Sequence, residues 1–175
     1  NALAAIAVAL ERGFALSQAV QALSTLRPAD KRGQVVRLGN ITVINDCYNS
    51  NPKALAAMVD ALAGMPAQRR IVVAREMLEL GPSGAEMHRD SGRHIADKGI
   101  DLLLGVRGLA QEMVTAAKAA GIQAQFMTSP EEAGEWLLAN AEDGDVVLLK
   151  ASRGVKLEKA LEIWKEAVGQ SSVVG

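Results

Sequence analysis

The chain has 175 residues, close to the size of one ordinary domain or of one domain with a piece of another. Hydrophobic residues make up 49% and charged residues 22%, which indicates a buried core and argues against disorder. With 19 basic and 20 acidic residues the net charge is −1, which argues against a nucleic-acid or membrane-surface protein, because both need a positive field. The single cysteine, Cys47, excludes an internal disulfide and a cysteine-based zinc site, and it fits a cytoplasmic protein.

The start of the chain predicts two helices. An apolar stripe at helical spacing runs through the first ten residues and ends at Gly13, and Ser17 is expected to cap a second helix. Residues 27–33 are polar and rich in helix breakers, so they are the candidate boundary between residues 1–28 and residues 29–175. Because the chain opens inside a helical pattern and without Met, we expect a piece of a longer protein.

Strands and helices alternate after the boundary. The β-rich runs Gln34–Leu38 and 41–45 flank Gly39 and Asn40, which tolerate positive φ, and this predicts a tight hairpin. Serine, proline and glutamate at 129–132, and serine and glutamate at 83 and 86, predict capping boxes. The predicted helices then cover residues 52–63, 83–98, 108–120, 129–141 and 155–168, the predicted strands cover 70–74, 101–104, 123–127 and 145–149, and the tail 169–175 is expected to fray.

This alternation predicts right-handed crossovers between parallel strands. The strands are apolar without strict alternation, as is typical of a sheet buried on both sides. The predicted fold class is therefore α/β. It is a Rossmann-like, mostly parallel sheet with helices on both faces, preceded by a β-hairpin and by two helices that belong to the preceding domain.

Ligands of such a sheet bind at the carboxyl ends of the strands, so the loops there carry the functional signal. Residues 45–51 form a polar cluster between a strand and a helix N-terminus, where Asp46 could hold a ribose hydroxyl or the water of a cation. The alternative is plain turn chemistry with Asn51 as a helix cap. Five polar side chains exceed what a turn requires, which favours a site.

Two further loops end strands at the same predicted edge. Residues 75–81 carry two acids, and either they face a ligand or the loop is solvated, with its apolar residues packed below. Residues 150–154 offer Lys150, Ser152 and Arg153 as an anion cradle, or else form an exposed basic turn. His88 could point at this edge or lie on the surface, and its spacing from His94 does not make a metal pair.

Three strings together resemble the C-terminal part of the Mur ligases. They are V-I-N-D-C-Y-N-S-N-P at residues 43–52, E-M-L-E-L-G at 76–81 with a histidine downstream, and K-A-S-R-G at 150–154. The first two are specific to one branch of the family. The opening N-A-L-A-A is similar to the end of the family's central ATP-binding domain, and the resemblance covers nearly the whole chain in order.

The resemblance implies an ATP-dependent amide ligase of peptidoglycan synthesis, which is cytoplasmic. In this branch, ATP and Mg²⁺ serve to phosphorylate UDP-N-acetylmuramoyl-tripeptide, and the amine of D-alanyl-D-alanine attacks the acyl phosphate. The family's phosphate loop and metal-binding acids have no match here, so residues 1–28 would end the central domain and residues 29–175 would form the C-terminal domain. This piece would contain no catalytic residue, hold no metal and be inactive alone, while it closes over ATP and presents the dipeptide.

The resemblance also implies site residues. The expected ATP contacts are Asn1, Arg32, Asp46, Tyr48 and Asn49. The expected dipeptide contacts are Glu76, Glu79, His88, Lys150, Ser152 and Arg153. Acids and bases together suit a substrate with an ammonium group at one end and a carboxylate at the other.

Two residues depart from the family pattern. Arg75 and Ala151 stand where the family has glycines, so a long cation could reshape the dipeptide pocket, and alanine would resist a positive φ. A different class of function also stays open. The chain could be a non-catalytic α/β binding module that docks a partner through its N-terminal helices. A standalone dinucleotide-binding domain is disfavoured because no Gly-x-Gly-x-x-Gly string follows a strand.

Overall fold

The computed structural model describes residues 2–25, 32–152, 156–168 and 172–173. Two helices open the described part of the chain, and a hairpin follows, whose second strand begins a series of five strand–helix units. Up to residue 97 the elements are α1 (Ala2–Glu11), α2 (Leu16–Ser24), β1 (Gln34–Leu38), β2 (Ile41–Asp46), α3 (Pro52–Ala63), β3 (Arg69–Arg75), a short 3₁₀ helix (Gly81–Ser83) and α4 (Gly84–Asp97). The remaining elements are β4 (Leu102–Val106), α5 (Ala110–Ala119), β5 (Gln123–Met127), α6 (Pro130–Asn140), β6 (Asp145–Lys150), α7 (Glu158–Val168) and β7 (Ser172–Val173).

A single sheet has the strand order β5-β4-β3-β6-β2-β1-β7. The neighbours from β5 to β2 pair in parallel, whereas β1 pairs antiparallel with both β2 and β7. The mostly parallel α/β fold with a leading hairpin is therefore confirmed. All five parallel strands end at one edge, where Asp46 lies in register with Lys150.

Helices cover both faces of the sheet and divide the core into two layers. Residues alternate along β3, so Val73 packs with Leu137 of α6 and Trp164 of α7 on one face. On the other face Val72 belongs to the layer that contains helices α3, α4 and α5. Burial on both faces explains why these strands read as continuous apolar runs.

Local signals placed some helix starts well and others wrongly. Asn51 caps α3, as its side chain accepts a hydrogen bond from the Ala54 N–H at 2.8 Å. Ser17 does not cap α2, because the helix already begins at Leu16 and Ala15 is its N-cap residue. Ser83 makes no capping hydrogen bond, because the 3₁₀ helix leads directly into α4 and holds Ser83 at φ −84° and ψ 3° instead of extended. The expected fraying of the tail is wrong for Ser172–Val173, which pair with β1.

The cap difference predicts a stability difference. Asn51→Ala is expected to lower the free energy of unfolding by about 1 kcal/mol, because it removes the cap of α3. Ser83→Ala is the control and is expected to stay within about 0.5 kcal/mol of the wild type, since Ser83 caps nothing. Urea denaturation of the two variants measures both. Equal losses would contradict this assignment of the caps.

The two N-terminal helices contact each other and leave large apolar side chains exposed. Leu3 is 82% exposed and Val8 62%, and α1 buries no residue at all. This exposure fits the prediction that residues 1–28 belong to a preceding domain, which stays a prediction. None of the helices in the described ranges reaches the length and hydrophobicity needed to cross a membrane.

Candidate functional site

The carboxyl ends of β2 and β6 form the floor of an open cleft of about 300 Å³. Its walls are the loop after β2, the first turns of α3 and residues 32–33, which precede β1. Pockets of this size hold small ligands when an apolar lining carries a few polar groups. The residues that line the cleft are Arg32, Gly33, Asp46, Tyr48, Asn49, Ala54, Met58 and Lys150.

Asp46 links three parts of this cleft. Its Oδ1 accepts a hydrogen bond from the Gly33 N–H at 3.1 Å, and its Oδ2 lies 2.9 Å from Lys150 Nζ. The Asp46 side chain remains 18% exposed, so it still faces the cleft. A carboxylate has about four acceptor positions, which leaves capacity for a ligand hydroxyl.

Lys150 is buried, with its side chain only 1% exposed. In addition to the Asp46 carboxylate, the ammonium group donates to the backbone carbonyl of Asn49 and, at 3.4 Å, to that of Asp46. Three acceptors therefore match its three donors. Lys150 was expected among the dipeptide contacts, but the structure brings it together with the residues expected around ATP.

Arg32 lies over the ring of Tyr48, with its guanidinium carbon 3.8 Å from the ring centroid. The distance is typical of a cation–π contact, which is attractive because the ring face is negative. The pair places a cation at the mouth of the cleft. The sequence missed the apolar part of this site, Ala54 and Met58, although their spacing of four residues on a predicted helix marks one face.

His88 is neither on the surface nor exposed to a ligand. It is completely buried, and both ring nitrogens are used. Nε2 accepts a hydrogen bond from the Met77 N–H at 2.9 Å, and Nδ1 lies 2.6 Å from the Gly84 carbonyl oxygen. In this conformation both ring nitrogens are held by protein groups, so the buried position of His88 does not support the expected contact with the dipeptide.

Glu76 packs against the beginning of α5. A Cβ atom at Gly108 would lie 1.8 Å from Glu76 Oε2, so the carboxylate lies directly against the Gly108 backbone. Gly108 also has φ +51°. A negative side chain next to a helix N-terminus is favourable, which gives Glu76 a structural role whether or not it contacts a ligand.

Glu79 and Ser152 lie nearer to solvent at this edge. Glu79 is exposed and has φ +63°. The Ser152 hydroxyl donates to the Ser50 carbonyl at 3.4 Å, which joins the loop after β6 to the loop after β2. Asn1 and Arg153, the other expected site residues, lie outside the described residues.

The two departures from the family pattern are both buried. Arg75 is only 6% exposed, and burial together with the nearby charge of Arg107 lowers the pKa of its guanidinium. Ala151 is completely buried and does not have a positive φ, so the expected strain is absent. Among the residues that the structure describes, no group of three or more His, Cys, Asp or Glu side chains could hold a metal ion.

Comparison with known proteins identifies the fold and its family. The family model described as "Mur ligase, glutamate ligase domain" matches residues 31–153, which is more than half of the chain. The chain belongs to the Mur ligase family. Among solved structures, MurF from Acinetobacter baumannii superimposes on 94% of this Mur ligase chain and on 37% of its own, with a TM-score of 0.83 and 25% identity. A MurF ligase from Thermotoga maritima in complex with ADP gives a TM-score of 0.78 over 93% of this chain and 36% of its own, and at 24% identity it shows the fold alone.

Curated relatives point to one branch of the Mur ligases. The UDP-N-acetylmuramoyl-tripeptide–D-alanyl-D-alanine ligase of Bacillus subtilis is 28% identical over 166 residues, covering 93% of this chain and 36% of that protein. The ligase of the same name from Mycobacterium leprae is 33% identical over 178 residues, covering 90% of this chain and 34% of that protein. The chain thus spans about a third of the length of these relatives.

Proposed function

We propose that this Mur ligase chain is the C-terminal domain of a cytoplasmic, ATP-dependent amide ligase that joins D-alanyl-D-alanine to UDP-N-acetylmuramoyl-tripeptide. The donor carboxylate takes the γ-phosphoryl group of ATP, with Mg²⁺, and ADP leaves. The dipeptide amine then attacks the acyl phosphate, so that an amide bond forms and phosphate leaves. The domain closes over ATP and presents the dipeptide.

The observation that carries the proposal is the cleft at the carboxyl ends of β2 and β6. Its apolar side, Ala54 and Met58, suits a flat nucleobase, and the Asp46 carboxylate suits a ribose hydroxyl. Arg32 at the mouth suits the phosphates, since arginine recognises phosphate oxygens with two parallel hydrogen bonds. Tyr48 orients Arg32 from below.

The dipeptide is assigned to the neighbouring part of the same edge. Glu79, exposed at the end of the β3 loop, is the group proposed to bind the dipeptide ammonium. Ser152 is proposed to bind the dipeptide carboxylate, together with Arg153 of the same loop. Holding the dipeptide beside ATP, whose γ-phosphoryl group forms the acyl phosphate, converts the attack into an effectively intramolecular step.

Replacing Arg32 tests the proposal. Arg32→Ala in the full-length ligase is expected to raise the KM for ATP about tenfold, since a charge-assisted contact contributes roughly 1.5 to 3 kcal/mol. The KM for D-alanyl-D-alanine should not change. Steady-state release of phosphate, measured with one substrate varied at a time, separates the two constants.

Arg37→Ala is the matched control. Arg37 is an exposed arginine of β1, the strand that follows Arg32, but it lies near the turn of the hairpin, where it donates to Thr42. It should leave both constants unchanged. A wild-type ligase whose phosphate release does not require both D-alanyl-D-alanine and the tripeptide would overturn the proposed function.

A second candidate, the non-catalytic binding module, is favoured by a different feature. The α1–α2 pair contains an apolar groove of about 370 Å³, and its lining includes Phe14, which is 57% exposed. Such a patch marks an interaction surface. Under this candidate the protein would bind a partner through α1 and α2 and would form no amide product with ATP and both substrates.

A further inference from the structure

His88 lies in the second turn of α4, directly beneath the loop that follows β3. We call residues 76–80 the acceptor loop, because the proposed function places the dipeptide ammonium at Glu79. Two of its backbone N–H groups make hydrogen bonds where the loop leaves the sheet. The Glu76 N–H donates to the Val106 carbonyl at 3.4 Å, and the Met77 N–H donates to His88 Nε2 at 2.9 Å.

The two contacts of His88 define one protonation state. Because Nε2 accepts from an N–H group, it carries no proton in this arrangement. Nδ1 lies 2.6 Å from a carbonyl oxygen, that of Gly84, so the single ring proton must be on Nδ1. The side chain therefore acts as a neutral bridge between the first turn of α4 and the backbone of the acceptor loop.

The bridge through His88 attaches the acceptor loop to α4. Met77 is only 3% exposed, so its N–H would be left in the core without a partner if His88 were removed. Past this point the chain turns outward, where Leu78 is 46% exposed and Glu79 adopts φ +63°. A non-glycine residue holds such a φ only where its surroundings impose it.

We propose that His88 is a positioning residue, which holds the acceptor loop in the conformation that presents Glu79 to the dipeptide. It acts through the Met77 N–H and never touches substrate. This inference rests on the proposed function, since it assigns the dipeptide to this loop. The proposed ATP site is the β2–β6 cleft, so His88 is expected to affect the binding of the dipeptide and not the binding of ATP.

Two conservative variants separate the two contacts. In His88→Gln the amide oxygen reaches as far as Nε2 and can still accept from the Met77 N–H. In His88→Asn the shorter side chain reaches only as far as Nδ1, so it keeps the contact with the Gly84 carbonyl and loses the hydrogen bond from the Met77 N–H. His94→Asn, a change of a half-exposed histidine on the same helix, is the control.

In the full-length ligase, His88→Asn is expected to raise the KM for D-alanyl-D-alanine about tenfold while the KM for ATP stays the same. His88→Gln should restore most of the loss, and His94→Asn should change neither constant. A merely structural role would lower the amount of active enzyme in both His88 variants and leave both KM values alone. That result would overturn the proposal.

Hydrogen exchange at the Met77 amide, followed by mass spectrometry in the same proteins, tests the bridge without relying on turnover. Exchange should be about tenfold faster in His88→Asn than in wild type or His88→Gln. Equal protection in all three would overturn the bridge itself. If the bridge is present but wild-type turnover does not depend on the dipeptide, the proposed function fails, and the acceptor role of His88 fails with it.

Discussion

Asp46→Asn is expected to lower the free energy of unfolding of this chain by about 3 kcal/mol. The substitution removes the only side-chain negative charge that is paired with the buried ammonium of Lys150 in the described structure. Removing one partner of a buried pair typically costs roughly 3 to 5 kcal/mol, because the other charge stays in the core uncompensated. The lower end applies here because Asp46 is 18% exposed and water reaches it. Urea denaturation measures the loss.

A double-mutant cycle separates this effect from a general disturbance of the site. In Asp46→Asn combined with Lys150→Met, no buried charge remains, so the loss should be smaller than the sum of the two single losses by about 2 kcal/mol. The exposed pair Glu86–Arg93 on α4 is the matched control and should show no measurable coupling. Additive losses at Asp46 and Lys150 would contradict the ion pair.

Gly92→Ala is expected to destabilise the chain by about 2 to 3 kcal/mol. A Cβ atom at Gly92 would lie 2.2 Å from the Met113 carbonyl oxygen, so α4 and α5 touch backbone to backbone at this point. Alanine is about 1 kcal/mol better than glycine inside a helix, but pushing the helices apart costs more than that gain. Thermal and urea denaturation both measure the net change.

Gly64→Ala is the control for Gly92→Ala. Gly64 ends α3 with φ −80°, and a Cβ atom there would lie 3.6 Å from its nearest neighbour, an ordinary contact. The unfolding free energy should therefore stay within about 0.5 kcal/mol of the wild type. If Gly92→Ala were as well tolerated as Gly64→Ala, the close approach of α4 and α5 would be wrong.

Local sequence signals predicted the secondary structure well wherever the deciding hydrogen bond is itself local. Asn51 and Ser129 each accept from an N–H three residues ahead, so a short string contains the whole cap. Ser83 has the same string, yet the 3₁₀ helix before it removes the extended backbone that a cap needs. Glu86, the other half of that predicted box, pairs with Arg89 and Arg93 instead, and these cations lower its pKa.

The assignment of residues to subsites depended on the fold instead. The sequence grouped Lys150 with Ser152 because they are neighbours in one loop. The sheet order places β6 beside β2, and the parallel register sets Lys150 opposite Asp46, 104 residues away along the chain. Side-chain length then decides the partner, since an ammonium on a four-carbon chain reaches the next strand end.

The sequence by itself determined the α/β class, the family and the set of polar residues at the strand ends, because periodicity, caps and motif strings are all properties of short segments. Only the tertiary structure decided which of these residues share a cleft and which are buried. Lys150 and His88, both expected as ligand contacts, are buried in the structure and have protein partners. The physical reason is that a buried polar group must be satisfied by whatever lies next to it in space, and strand order brings those partners from distant parts of the chain.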